Sequence, residues 1–450
     1  MPLLNTTGIL KRQRGIAIGP IISDQWIAQL NTTTYGLGGV VVDSLGNAYV
    51  NTGFANQSQG ITKITSTGSL VFSKISSDGD NGITAIDSSD NVYVGYQLYV
   101  AGVSYPNIIK YDSNGNILWQ KYFPSVNNRQ TLAIQPTNAG DLFVLTGNAF
   151  GGDPLFGGAG PYVVWKLDPT NGSTISQRTV LNFATGTNDI YVDSTNGQLI
   201  IAGTDYGASP NRILIGFYNF TNTDAASNVL YQEPSNLTTD SYDTFFAGQS
   251  FQNVVADSSF VYQVAYRTIS GITRSIYQKI NRTTGAVSYS YDVTTSGNSL
   301  ALIGITIDNS GSLYITGNSA GSFQSAYIMK INASTGAITW IKRVGDLGLT
   351  IFETLGGPTW SNGYVYFNVT AGLSPSPNQH ALFKLKDDGS ATSGTYGGIW
   401  NIGSVTATNT SYLPFATGTT TDQRANYTQT TSNSAITVST STVSLSTYSV

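Results

Sequence analysis

The chain has 450 residues, of which 40% are apolar and 11% aromatic but only 10% charged, with a formal net charge of −4. A core of ordinary size can be filled, but the charged fraction is far below the roughly 25% of ordinary soluble domains, so Ser, Thr, Asn, Gln and Gly must cover the surface. The acidic balance argues against a nucleic-acid partner, which needs a basic stripe, and the absence of cysteine excludes disulfides, thiolate metal sites and a Cys nucleophile.

In chain order, residues 1–24 are expected to form an arm, with Lys11, Arg12 and Arg14 as a solvated basic cluster. Met1–Leu10 carries Asn and Thr where a signal peptide places its apolar run, and no apolar stretch of 18 residues occurs. Neither an ordinary export signal nor membrane insertion is expected. Gln25–Leu30 (QWIAQL) then reads as an outer β-strand.

From Val40 onward two half-motifs alternate. The first is an apolar strand, an Asp-Ser-x-Gly-Asn turn or a relative of it, and a second strand ending near Gly, as in VVVDSLGNAYV (from Val40), AIDSSDNVYVG (from Ala85) and ITIDNSGSLYITG (from Ile305). The second is Lys-apolar-Asp/Asn, a Gly-bearing turn and an aromatic strand, as in IIKYDSNGNILWQK (from Ile108) and YIMKINASTGAITWIK (from Tyr327). Seven copies of each occur, with Asp43, Asp87, Asp193, Asp257 and Asp308 and their equivalents near 137 and 361 spacing the units by 44 to 64 residues. Each half-motif is a β-hairpin by its alternation and turn chemistry. Two hairpins per unit, repeated seven times, predict an all-β fold, a seven-bladed β-propeller over residues 25–395. In the last unit the expected outer strand, ATSGTYGG, lacks alternation, so Gln25–Leu30 is expected to supply it and close the ring, removing an open edge. Residues 396–450 form a Ser/Thr-rich, β-prone tail, uncharged from Ala425 onward. That composition fits either disorder or strands that add to a neighbour's sheet.

The motif Lys-apolar-Asp/Asn-x-x-Thr-Gly-x-apolar-x-Trp, complete at Lys330–Trp340 and nearly so at Lys110–Trp119, resembles the repeat of quinoprotein-type propellers. The DSxGNxYVTG half resembles the repeat of seven-bladed bacterial propellers. The tail, opening with Thr395-Tyr-Gly-Gly-Ile-Trp400, is similar in style to virion structural proteins of tailed phages, marine ones especially. The quinoprotein resemblance implies the fold and not the activity. A quinone and calcium site needs a buried carboxylate, Asn and Arg, often beside a disulfide, whereas this chain has two Glu, Glu233 and Glu353, neither in the repeat. No cofactor and no metal site is therefore expected.

Among other chemistry, His380 lacks a histidine partner for a metal and is expected to be structural. Most Asp residues sit in the repeated turns, where a side chain caps local amides; Asp153, Asp205, Asp240, Asp243 and Asp346 lie outside them. Ser77–Gly82 is similar to a calcium loop but lacks its later Glu and is expected to be a plain turn.

The short turns fall on one face of the ring. The longer connections, Tyr96–Pro106, Asn148–Pro161, Tyr231–Gln252, Gly345–Gly357 and Ala371–Gln379, fall on the other and are expected to be irregular. Variable loops on a rigid scaffold carry binding functions. Tyr99, Tyr105, Phe150, Asp153, Phe156, Tyr206, Tyr242, Asp243 and Phe323 are the candidate ligand residues, since aromatic faces beside amides and carboxylates suit sugar rings. The expected function is a non-catalytic structural or adhesive propeller located in a phage virion. It would contact copies of itself and other virion proteins through residues 1–24 and 396–450, or a host-surface glycan. A propeller glycosidase or lyase using loop carboxylates, and a bacterial cell-surface or filament protein, remain the alternatives.

Overall fold

The computed structural model describes residues 24–449 apart from segments between strands, the longest being 124–129, 148–161, 206–211, 220–225, 234–240, 244–252, 373–378 and 420–431. The expected arm, apart from Asp24, lies outside the described residues.

The described regular structure is all strand, and every pairing is antiparallel. β1 is Trp26–Asn31. The first repeat unit is β2 (Thr34–Val42), β3 (Ala48–Phe54), β4 (Ser58–Ile64) and β5 (Leu70–Ser76). The second is β6 (Gly79–Ile86), β7 (Val92–Val100), β8 (Val103–Tyr111) and β9 (Ile117–Tyr122). The third is β10 (Gln130–Pro136), β11 (Leu142–Gly147), β12 (Tyr162–Leu167) and β13 (Thr174–Val180). The fourth is β14 (Gly186–Asp193), β15 (Gln198–Asp205), β16 (Arg212–Asn219) and β17 (Ala226–Glu233). In the fifth, β18 (Ser241–Asp243) and β19 (Val254–Ala256) both pair with β20 (Phe260–Ile269), followed by β21 (Ile272–Asn281) and β22 (Val287–Thr295). The sixth is β23 (Asn298–Ile307), β24 (Ser312–Ser319), β25 (Ala326–Asn332) and β26 (Ile338–Val344). In the last, β27 (Ile351–Glu353) and β28 (Thr359–Ser361) pair with β29 (Tyr364–Gly372), then β30 (Gln379–Lys386). β1 lies beside β30, with Ile27 opposite Phe383.

The remainder is β31 (Gly394–Tyr396), β32 (Trp400–Ser404), β33 (Thr408–Ser411), β34 (Ala416–Thr419), β35 (Ser432–Asn433), β36 (Val438–Thr440) and β37 (Ser444–Ser449). Except for β31, which pairs with β32, these strands extend the outer edges of sheets of the same chain. Alternation alone does not distinguish this from pairing with another molecule.

The core is distributed. The apolar clusters among the described residues are each shared between successive units: Tyr93, Trp119, Ile134 and Trp165 join the second to the third, and Tyr262, Tyr277, Ile305 and Met329 join the fifth to the sixth. One cluster joins the two ends of the repeat, packing Trp26, Tyr366 and Leu382 against Val40, Ala48 and Ile64. The first strands of the units touch in chain order, and β28 touches β2. Repeated four-stranded sheets that bury their faces only against neighbouring sheets constitute a β-propeller-type repeat fold.

Candidate functional site

The repeated turns are built by their own residues. Asp43 accepts the backbone N–H groups of Leu45 (3.0 Å) and Asn47 (2.8 Å) while Gly46 takes φ 80°, a left-handed value that glycine adopts without strain. Asp87 and Asp308 form the same turn and accept the hydroxyls of Tyr93 and Tyr314, each at 3.0 Å. Burial pushes both carboxyls up, but hydrogen bonds from the turn, led by Asn91 and Ser310 respectively, outweigh it and hold them below the ordinary aspartate value.

Each such Asp faces a lysine on the third strand of its unit, and that lysine reaches the following unit. Lys63 lies 3.5 Å from Asp43 and donates to Ser113 O at 2.8 Å. Lys110 lies 3.4 Å from Asp87 and donates to Pro169 O at 2.9 Å. Lys330 donates to Asp387 O at 3.2 Å, and Lys384 to Ser66 O at 3.0 Å. Three of these carbonyls, those of Pro169, Asp387 and Ser66, also accept the indole N–H of Trp119, Trp340 and Trp26 respectively, at 2.9–3.0 Å. The Lys…Trp spacing of the motif is therefore a latch in which two donors from one unit grip one turn carbonyl of the next.

The first strands of several units line a pocket of about 240 Å³. Its walls come from β2, β6, β10 and β28, and β14 contributes one carboxyl, Asp189. Register shifts in the first strands, between Leu37 and Val40, Asp80 and Ile83, Thr131 and Ala133, and Thr187 and Asp189, mark bulges that re-aim the backbone there. Thr84 donates to Gly39 O at 3.0 Å, and Thr359 donates to Val40 O, tying first strands together around the cavity. Asp189 Oδ2 accepts the backbone N–H groups of Asn253 (2.7 Å) and Val254 (3.1 Å), where the first strand of the fifth unit resumes as β19. Burial pushes this carboxyl up to about 8, against the opposing effect of the backbone N–H groups. Sequence reasoning missed Asp189. It belongs to no turn motif, and the only signal was an acid inside an apolar strand, in Asn188-Asp-Ile-Tyr191.

Tyr99 and Tyr105 fall on a corrected element. Residues 96–106 are not an irregular loop: β7 runs to Val100 and β8 starts at Val103, with Leu98 opposite Tyr105 and Tyr99 opposite Ser104. The alternation of Tyr96 and Leu98, both buried, continues the hairpin into the stretch expected to be a connection. Both tyrosines are half-buried; Tyr99 donates to Gln97 Oε1 at 3.4 Å, and Tyr105 meets Tyr122 edge-on at 5.9 Å. Tyr242 and Asp243 stand on β18, opposite Arg267 and Tyr266. Phe150, Asp153, Phe156, Tyr206 and Phe323 lie outside the described residues. The Ser77–Gly82 turn is also corrected, since β6 begins at Gly79 and places Asp80 and Asn81 in a strand. His380 is fully buried and hydrogen-bonded through Nδ1 to Thr370 Oγ1 (2.8 Å) on the paired strand β29.

No protein-family profile and no curated protein matches this sequence. Among solved structures, the chain is similar to the quinohemoprotein alcohol dehydrogenase ADHIIG of Pseudomonas putida HK5, with TM-score 0.44 and 13% identity over 83% of this chain and 78% of that one. It is also similar to a luciferin-regenerating enzyme, with TM-score 0.38 and 12% identity over 84% of this chain and 98% of that one. A eukaryotic initiation factor is a third, with TM-score 0.36 and 9% identity over 80% and 98%.

Proposed function

We propose that the chain is a seven-bladed propeller closed by β1 and that it acts as a non-catalytic structural or adhesive component of a tailed-phage virion. Three contacts between the last unit and the first support the ring: the Lys384 and Trp26 donations to Ser66 O, the cluster of Trp26 with Val40, and β28 against β2. The observation that carries the functional reading is the use of the charged repeat residues. Asp43, Asp87 and Asp308 and the lysines beside them hold turns and join units, which are scaffold roles. The aromatic residues singled out in the sequence between the repeated turns are the candidate contacts, toward other virion proteins or a host-surface glycan. Mass spectrometry of purified particles is the test. The chain is expected in stoichiometric amounts relative to other virion proteins, and its absence from particles would sink the reading.

Asp189 favours a second reading, a hydrolase or lyase acting on host-surface polysaccharide. A buried carboxyl titrating near neutrality at a cavity suits general-acid chemistry. Polysaccharide cleavage by the full chain that vanishes in Asp189→Asn supports it; equal turnover by both proteins removes Asp189 from the chemistry.

A further inference from the structure

The C-terminal strands follow the outer rim of the sheets in an order opposite to that of the chain. β32 pairs with β26, β33 with β22, β34 with β17, β35 with β9, β36 with β5 and β37 with β1, each time antiparallel. Short steps, 405–407, 412–415, 434–437 and 441–443, separate strands on neighbouring units, and the longer 420–431 separates β34 on the fourth unit from β35 on the second.

Both ends of this path meet at β1. At the start, Trp400 is fully buried, packs edge-on against Phe383 with ring centroids 5.7 Å apart, and donates its indole N–H to Gln29 Oε1 of β1 at 3.0 Å. At the end, β37 pairs with β1 from Trp26 opposite Ser449 to Asn31 opposite Ser444. Side chains fasten the path between: Lys342 Nζ donates to Ala391 O (3.0 Å) and Ser404 Oγ (2.9 Å), and Asn409 Nδ2 donates to the Tyr277 hydroxyl (2.7 Å) and Gly336 O (2.9 Å).

We propose that strands β32–β37 form an intramolecular strap that covers the outer edges of every unit but the third and locks β1 against β30. β1 comes from the opposite end of the chain to β30, and no disulfide ties the two. With β37 in place, β1 has a strand on each side; without it, β1 is an edge strand held by one ladder. The strap is rich in Ser and Thr and uncharged from Ala425 to Val450, so its strands dock through backbone hydrogen bonds on the sheet edges. Strands this short bind weakly alone, but, except across 420–431, each docked strand holds the next within three or four residues of its edge, which raises its effective concentration. The occupant of these edges is thus the chain's own C-terminal segment.

Two variants test the strap by amide hydrogen exchange. Ending the chain after Thr431 removes β35–β37; amides of β1 and β30 are expected to exchange at least tenfold faster, while those of β11 and β12 keep their rates. Because truncation can impair folding, the full-length double variant Asn31→Cys/Ser444→Cys provides the second reading in a protein otherwise free of cysteine. It is expected to form an intramolecular disulfide under mild oxidation and to slow exchange in β1 at least tenfold, reversibly on reduction. Unchanged β1 exchange in a folded truncated chain, failure of the cysteines to join, or disulfide-linked dimers in dilute solution would each overturn the strap.

Discussion

Arg282, in the outer turn of the fifth unit, forms a buried ion pair with Asp193 of the fourth. Its guanidinium also donates to Asp257 O at 2.7 Å and Gln198 Oε1 at 2.6 Å and lies 5.3 Å from the Phe217 ring centroid. Phe217 occupies the place of the latch lysine: the register shift after Lys63, Lys110, Lys279 and Lys330 recurs after Phe217. The fourth unit thus lacks its own latch lysine and receives a cation from its neighbour. Arg282→Ala leaves Asp193 buried without that cation and is expected to lower unfolding stability by about 3 kcal/mol. Phe217→Lys added to it restores a cation from the usual side, and denaturant titration should show part of the loss recovered.

The repeat and its turns were legible because their causes are local. Asp, Gly and the alternating strands lie within a dozen residues, so the Asp43–Tyr49 turn can be read from spacing. The latch was not, since Lys110 and Pro169 meet only when two sheets pack, and nothing near Phe217 points to Arg282. Alternation at Val443–Leu445 announces a strand without naming β1 as its partner. The candidate site was legible least. The longer connections are marked only by composition, whereas Asp189 acquires its character from burial among the first strands, which one strand's sequence does not reveal.

Ser66 O receives both Trp26 and Lys384, so the junction between β1, the last unit and the first depends on one carbonyl. Burial lowers the Lys384 pKa, yet its ammonium also lies 4.1 Å from the Tyr364 ring centroid. Removing the ammonium while keeping the stem, Lys384→Met, forfeits a charged hydrogen bond worth about 1.5–3 kcal/mol. Trp26→Phe forfeits a neutral one, about 1 kcal/mol, plus some packing. The double variant should lose more than the sum of the single losses, because each single variant leaves Ser66 O with one donor and only the double variant leaves it with neither, which a double-mutant cycle in urea measures directly.

Gly389 has φ 76°, and a Cβ there would lie 2.7 Å from the Trp340 ring, whereas Gly363, at φ 82°, has open space around the same position. Both substitutions to Ala carry the backbone penalty of a left-handed residue, about 1 kcal/mol. Gly389→Ala additionally forces the Trp340 seat apart and should cost about 1–3 kcal/mol more. Thermal unfolding of the two variants separates backbone strain from contact. Equal midpoints would show that Trp340 yields without loss.

Asp189 makes stability fall as pH rises through the neutral range. The folded carboxyl keeps its proton to about pH 8, whereas its ordinary value is 3.8, so folding binds a proton between those limits. This contribution favours the fold most at the acid end, declines by at most about 1.4 kcal/mol per pH unit, and levels off above pH 8. Asp24, Asp87, Asp112, Asp308 and Asp388 act in the opposite sense: their lowered values stabilise the fold above 3.8, and that gain is lost as pH falls through those values. Between pH 5 and 8 the difference in stability between the parent and an Asp189→Asn variant therefore reports Asp189, because groups common to both proteins cancel in it. In the Asp189→Asn variant the side-chain amide can still accept the Asn253 and Val254 N–H groups through its Oδ1 but carries no titrating proton. This variant is expected to match the parent only below pH 3.8 and to exceed its stability by a margin that is already present at pH 5 and grows toward pH 8. Urea unfolding at four pH values checks this, and parallel profiles for the two proteins would mean that Asp189 ionises at its ordinary value in the fold.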